Sequence, residues 1–134
     1  MIAIIRIKGE VDLDEDEEAT LQRLRLGRRF ACVVKKESKE LEGMILKIEN
    51  FVAYGKIDDK TLEELIEKRG KVIRGKKMDI KKIKTEIEKE EIESIKPFFR
   101  LHPPRKGIKT KFHFPKGVLG NHHEKINELI RRML

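Results

Sequence analysis

A chain of 134 residues amounts to one domain, or one domain with an appendage, since domains usually span about 100 to 200 residues. Charged side chains make up 42% of it against roughly 25% in an ordinary soluble domain, the balance is 32 Lys and Arg to 24 Asp and Glu, or +8, and with 38% hydrophobic residues and no Trp the core has to come from Ile and Leu. The single cysteine, Cys32, excludes an intramolecular disulfide framework and a multi-cysteine zinc site and fits a reducing compartment, while the lack of an apolar run of about 18 residues leads us to expect a cytoplasmic protein that neither crosses a membrane nor is exported.

Ile2 to Lys8 (IAIIRIK) reads as a strand with Ala3, Ile5 and Ile7 on one face. Asp12 to Glu18 holds six acids in seven residues, arginines follow, and Gly27 stands just past the end. That is a helix complementing its own dipole, closed by a glycine. Phe30 to Lys35 is short and β-branched, a second strand. Ser38 caps a second helix with a stripe of Leu41, Met44, Ile45, Ile48 and Val52, and Ala53 to Asp58 forms a third strand. Strand, helix, strand, helix, strand over 1–58 describes a ferredoxin-like β-α-β-α-β core, an α/β sandwich. Residues 59–134 then form a helical, basic C-terminal extension. Asp59 caps a helix over 59–69 with Leu62, Leu65 and Ile66 inward and Gly70 as its left-handed C-terminal residue. Lys71 to Lys77 is a basic loop, and about 79–93 carries a thin stripe of Ile80, Ile83 and Ile87. Between Lys96 and Lys116 lie seven Lys or Arg, no acid and all four prolines, so an extended path is expected. Asn121 and Glu124 form a capping-box pattern for a last helix over 121–134, lined by Ile126, Leu129, Ile130 and Met133.

Residues for catalysis are missing. The Asp12–Glu18 acids are explained by the helix start, Cys32 lies in an apolar strand with nothing nearby to lower its pKa, and no Gly-rich phosphate loop occurs. Among His102, His113, His122 and His123 no carboxylate or cysteine falls at ligand spacing, so no metal and no cofactor is expected. The basic clusters carry the information. Arg23, Arg25, Arg28 and Arg29 crowd the end of the first helix; Lys71, Arg74, Lys76 and Lys77 form the loop; Arg100, Arg105, Lys106, Lys109 and Lys111 fill the strip, with Phe99, Phe112 and Phe114 interleaved. Such side chains neutralise phosphates with counterion release, and aromatics or arginine planes stack on unpaired bases. The bland readings are pairing of the first-helix arginines with acids, solvation of the loop, and core packing of the phenylalanines. Ile2 to Lys8 lacks the aromatics of an RNA-recognition motif, so binding is expected from helix ends, loops and strip rather than a sheet face.

IIRIKG (Ile4–Gly9), TLQRLRLGRRFACVV (Thr20–Val34), GMILKIENFVAYGKID (Gly43–Asp58), TLEELIEKRG (Thr61–Gly70), FRLHPPRKG (Phe99–Gly107) and LGNHHEKINELIRRML (Leu119–Leu134) resemble, in this order, the archaeal and eukaryotic form of the large-subunit ribosomal protein thirty family. Residues 78–94 follow none of its patterns. The resemblance implies the ferredoxin-like core with an extension, no enzymatic activity, and assembly into the large ribosomal subunit against its ribosomal RNA, with 5S ribosomal RNA and neighbouring ribosomal proteins as candidate contacts. It places RNA contacts on the arginines around Gly27 and on Arg100, His102, Arg105 and Lys106. The rival reading is a free-standing RNA-binding regulator; a small-molecule substrate fits neither.

Overall fold

The structure, a computed structural model, describes residues 1–9, 14–71, 73, 75, 79–89, 95, 96, 98–105, 117 and 119–134. In chain order these form β1 (Ile2–Arg6), α1 (Glu15–Arg23), β2 (Ala31–Lys35), α2 (Lys39–Ile48), β3 (Val52–Lys56), α3 (Asp59–Arg69), α4 (Ile80–Glu88), β4 (Phe99–Arg100), β5 (Gly120–Asn121), a 3-10 turn over His123–Lys125 and α5 (Ile126–Met133). Helices α1 to α4 start where a side chain can take an otherwise unpaired N–H. Asp14 accepts from Glu17 N at 2.9 Å, Ser38 from Leu41 N at 3.1 Å, and Asp79 from Lys81 N at 3.1 Å. For α3 the cap is Asp58, accepting from Thr61 N at 2.7 Å, one residue before the Asp59 expected.

The first five elements make the ferredoxin-like core. β1 lies between β2 and β3, antiparallel to both, with Ile4 opposite Val33 and Tyr54. The extension adds a strand to each edge: β4 pairs antiparallel with β2 and β5 parallel with β3, giving the order β4-β2-β1-β3-β5. It also adds a third layer. On one face α1 and α2 bury Leu21, Leu24, Leu41, Ile45 and Ile48 against Ile4, Val33 and Val52. On the other, α3, α4 and α5 bury side chains such as Leu65, Ile83, Ile87, Leu129 and Ile130 against Ala3, Ile5, Cys32 and Ala53. A sheet covered on both faces reads as continuous apolar runs, which is why Ile4 sits beside Ile5 in a chain with so few hydrophobic residues.

Several local expectations give way to the geometry. Val52 belongs to β3 rather than to the stripe of α2, whose last helical residue is Ile48. Gly70 is extended, with φ −67°, and the reason for glycine is instead steric: an added Cβ would come within 2.5 Å of the Ile66 carbonyl oxygen. Asn121 and Glu124 do not form a capping box: Asn121 lies in β5 and its side chain accepts from His123 N at 2.9 Å, while α5 grows out of the 3-10 turn. The expected stripe of Ile126, Leu129, Ile130 and Met133 is buried as read. For the Lys-rich stretch expected at about 79–93, helix α4 covers 80–88, and 90–94 lie outside the described residues, as do 106–116 of the basic strip.

The seam between core and extension is polar at one point. Asn127, buried, donates to Lys56 O at 3.2 Å and Glu124 O at 2.8 Å and accepts from Asp58 N at 3.0 Å. Nearby, a Cβ on Gly55 of β3 would collide with the His123 carbonyl oxygen and with Ile126. Gly55→Ala is therefore expected to lower the unfolding free energy by about 1–3 kcal/mol, the usual range for overpacking, in urea denaturation of the full chain.

Candidate nucleic-acid interface

Helix α1 ends in a Schellman turn: Leu26 N donates to Leu21 O at 2.8 Å and Arg25 N to Gln22 O at 3.0 Å. The left-handed residue of this turn is Arg25, φ 63°. The sequence places Gly27 in that role, but Gly27 comes two residues later and does not have a left-handed φ. Leu21 and Leu26 are both buried in the core beneath the turn, which fixes its register and forces the left-handed step onto whatever residue stands between them. A non-glycine residue there costs about 1–2 kcal/mol. Phe30, at the far end of the same loop, is also left-handed, φ 65°.

The loop is held from below. Arg6 of β1, only 4% exposed, donates from Nη1 to Leu26 O at 2.8 Å and from Nε to Lys8 O at 3.1 Å. Phe30 N donates to Arg6 O at 2.7 Å. Arg29, though exposed, is tied down, its Nε on Ile7 O at 2.7 Å and its guanidinium 4.9 Å from the Phe30 ring centroid. Arg23, Arg25 and Arg28 are exposed as well.

The pairing of β4 with β2 brings the second basic segment to this loop. Arg100 lies opposite Ala31, the first residue of β2, and Leu101 N donates to Phe30 O at 3.1 Å. The result is a depression of about 330 Å³ between the loop and β4. Arg25, Arg28, Arg100 and Gln22 give it its polar groups, Phe98 an aromatic wall, and Gly27 and Ala31 a floor of small residues. The Arg100 guanidinium lies over the Phe98 ring, 5.4 Å from its centroid. Among the described residues none of Arg25, Arg28 and Arg100 pairs with a carboxylate, so like charges converge here without local compensation.

Residues 2–52 match the family profile of Ribosomal protein L30p/L7e. Across its length the chain is similar to curated relatives, each called Large ribosomal subunit protein uL30: 38% identical to that of Archaeoglobus fulgidus, covering 99% of both chains; 40% to that of Nanoarchaeum equitans, covering 100% of this chain and 99% of the relative; and 39% to that of Hyperthermus butylicus, covering 100% and 90%. The chain belongs to the L30p/L7e family of ribosomal proteins. It is, like its family, a structural protein and not an enzyme. Cys32 is fully buried, and burial pushes its thiol up to about 12, far from a reactive thiolate.

The other candidates fall elsewhere or outside the described residues. His102 and Arg105, both exposed, fasten the strip to the end of α5 through backbone N–H groups, His102 N on Met133 O at 2.9 Å and Arg105 N on Arg132 O at 3.0 Å. Arg132 answers with Nε and Nη2 on Arg105 O at 3.0 and 2.8 Å. Lys71 is exposed, and its carbonyl accepts from Lys96 N. Arg74, Lys76, Lys77, Lys106, Lys109 and Lys111 lie outside the described residues, with Phe112 and Phe114. Phe99 is a core residue, 3% exposed; Phe98 is the one beside the arginines. The period of two along an extended run held that information, because it puts Phe98 on the side of the charged Arg100 and Phe99 on the other. Gln22 and Arg6 carried no signal in sequence, as neither belongs to a basic run.

Replacing Arg25 by glycine relieves the left-handed strain while giving the unfolded chain more freedom, two effects of opposite sign. We expect Arg25→Gly to leave stability unchanged or raise it by about 1 kcal/mol. A clear loss of stability in urea denaturation would mean that the Arg25 side chain holds the loop together.

Proposed function

We propose that the protein is a structural constituent of the large ribosomal subunit in the cytoplasm, where it binds folded large-subunit ribosomal RNA and stabilises it during assembly and translation. The observation that carries this reading is the convergence of Arg25, Arg28 and Arg100, from two distant segments of a ribosomal-family chain, on one surface without carboxylate partners among the described residues. Three guanidinium groups held close together repel one another, and an RNA backbone relieves that repulsion as its own counterions are released. The core fixes the loop through Arg6, so little loop order has to be gained on binding. The remaining arginines and lysines, among them Arg23, Lys71, Arg105 and Lys106, extend the contact along the RNA, with 5S ribosomal RNA and neighbouring ribosomal proteins as further partners. Both sheet faces are covered by helices, which leaves edges, loops and helix ends to do the binding.

Salt titration of binding to large-subunit ribosomal RNA tests this. With about six to ten phosphates contacted, affinity falls by roughly three to five decades between about 50 and 200 mM salt. Arg28→Gln weakens binding and lowers the salt slope by about one. A flat salt response would contradict the mechanism.

A further inference from the structure

The depression between the α1–β2 loop and β4 is more than a positive patch. A duplex ridge laid across it would meet the guanidinium groups at its rim but leave Phe98 and the small-residue floor at Gly27 and Ala31 in contact with water. Those groups complete a different kind of site. Phe98 is half-buried, packed against the α1–α2 core, and carries the Arg100 guanidinium over its ring, a pairing of aromatic and guanidinium groups of the kind against which unpaired bases stack. Gln22 adds an amide with both donors and an acceptor, able to meet the edge of a base, and Arg25 and Arg28 stand where charge is needed for a phosphate. Its volume, about 330 Å³, lies at the small end of ligand pockets.

We infer that this depression seats one unpaired nucleotide of the RNA: its base against Phe98 and Arg100, its edge toward Gln22, its phosphate between Arg25 and Arg28. The inference rests on the ribosomal RNA-binding reading above and names what that surface grips. It also accounts for the left-handed backbone at Arg25. A glycine would satisfy the turn but would leave Arg28 alone on the phosphate side of the seat.

The test uses the full chain bound to large-subunit ribosomal RNA transcribed in vitro from its own organism. Short-wave ultraviolet light couples a stacked base directly to the side chain it touches, and mass spectrometry of digested complexes locates the adduct. The expected result is a single-nucleotide adduct on the peptide containing Phe98. Phe98→Leu, which keeps an apolar side chain in the wall, should then lower affinity roughly 5- to 150-fold, the range for one base–aromatic stack, with the salt slope unchanged. Salt-dependent binding by the wild-type protein with no adduct at Phe98 would overturn the nucleotide seat and leave the RNA-binding reading standing. No binding of this RNA by the wild-type protein would overturn the reading itself. Should Phe98→Leu fail to fold, the wild-type adduct map and the exposed Gln22→Ala variant decide the matter, an adduct with weakened Gln22→Ala binding supporting the seat and neither opposing it.

Discussion

Two residue pairs, Ala31 with Arg100 and Cys32 with Phe99, join segments that lie far apart in the chain, and the basic surface depends on that join. Closing a loop of such length is unfavourable in entropy, so two strand pairs on their own would not hold. What holds them is the burial of Phe99 and Leu101 with the α3–α5 side of the core and the backbone bonds that carry the strip on to the end of α5, His102 to Met133 and Arg105 to Arg132. Apolar burial thus does the positioning, and in the function proposed above charge does the binding. The same segment supplies both, because alternate residues of an extended chain face opposite ways.

That division explains how a chain with 42% charged residues folds at all. Its apolar residues are concentrated in three short strands and on narrow helix stripes, and each strand is used on both faces. Many of the acids cap or begin helices, as at Asp14 to Glu18, Glu40 and Glu42, and Asp58 and Asp59. Arg25, Arg28 and Arg100 collect beside β4. Arg6, by contrast, is a buried cation whose bonds to Leu26 and Lys8 carbonyls hold the loop that presents Arg25 and Arg28.

The core strands, the helix stripes and most caps were legible because each is local: an alternation, a three-four spacing, or a Ser or Asp just ahead of a stripe. Ser38 and the α5 stripe show this well. The extension's role as a third layer was not legible, since its stripes look the same whether they face each other or a sheet. The clue was in β1, where Ile4 and Ile5 side by side ask for two covered faces. At the candidate site the charge was visible and the geometry was not. Gly27 is the obvious left-handed residue until the buried pair Leu21 and Leu26 fixes the turn two residues earlier, and no local rule pairs Ala31 with Arg100. The period of two set Phe98 with Arg100 and apart from Phe99, but only the pairing of β4 with β2 shows which of the two phenylalanines faces the core.

The proposed function stands or falls with membership of the large ribosomal subunit through RNA contact. Sedimentation of cell lysate through a sucrose gradient tests it most directly, with the protein quantified by mass spectrometry before and after a high-salt wash. Co-migration with large subunits in a fixed one-to-one ratio is the predicted result. Recovery mainly in the light fractions at low salt would contradict it and would favour a free-standing RNA-binding regulator using the same arginines.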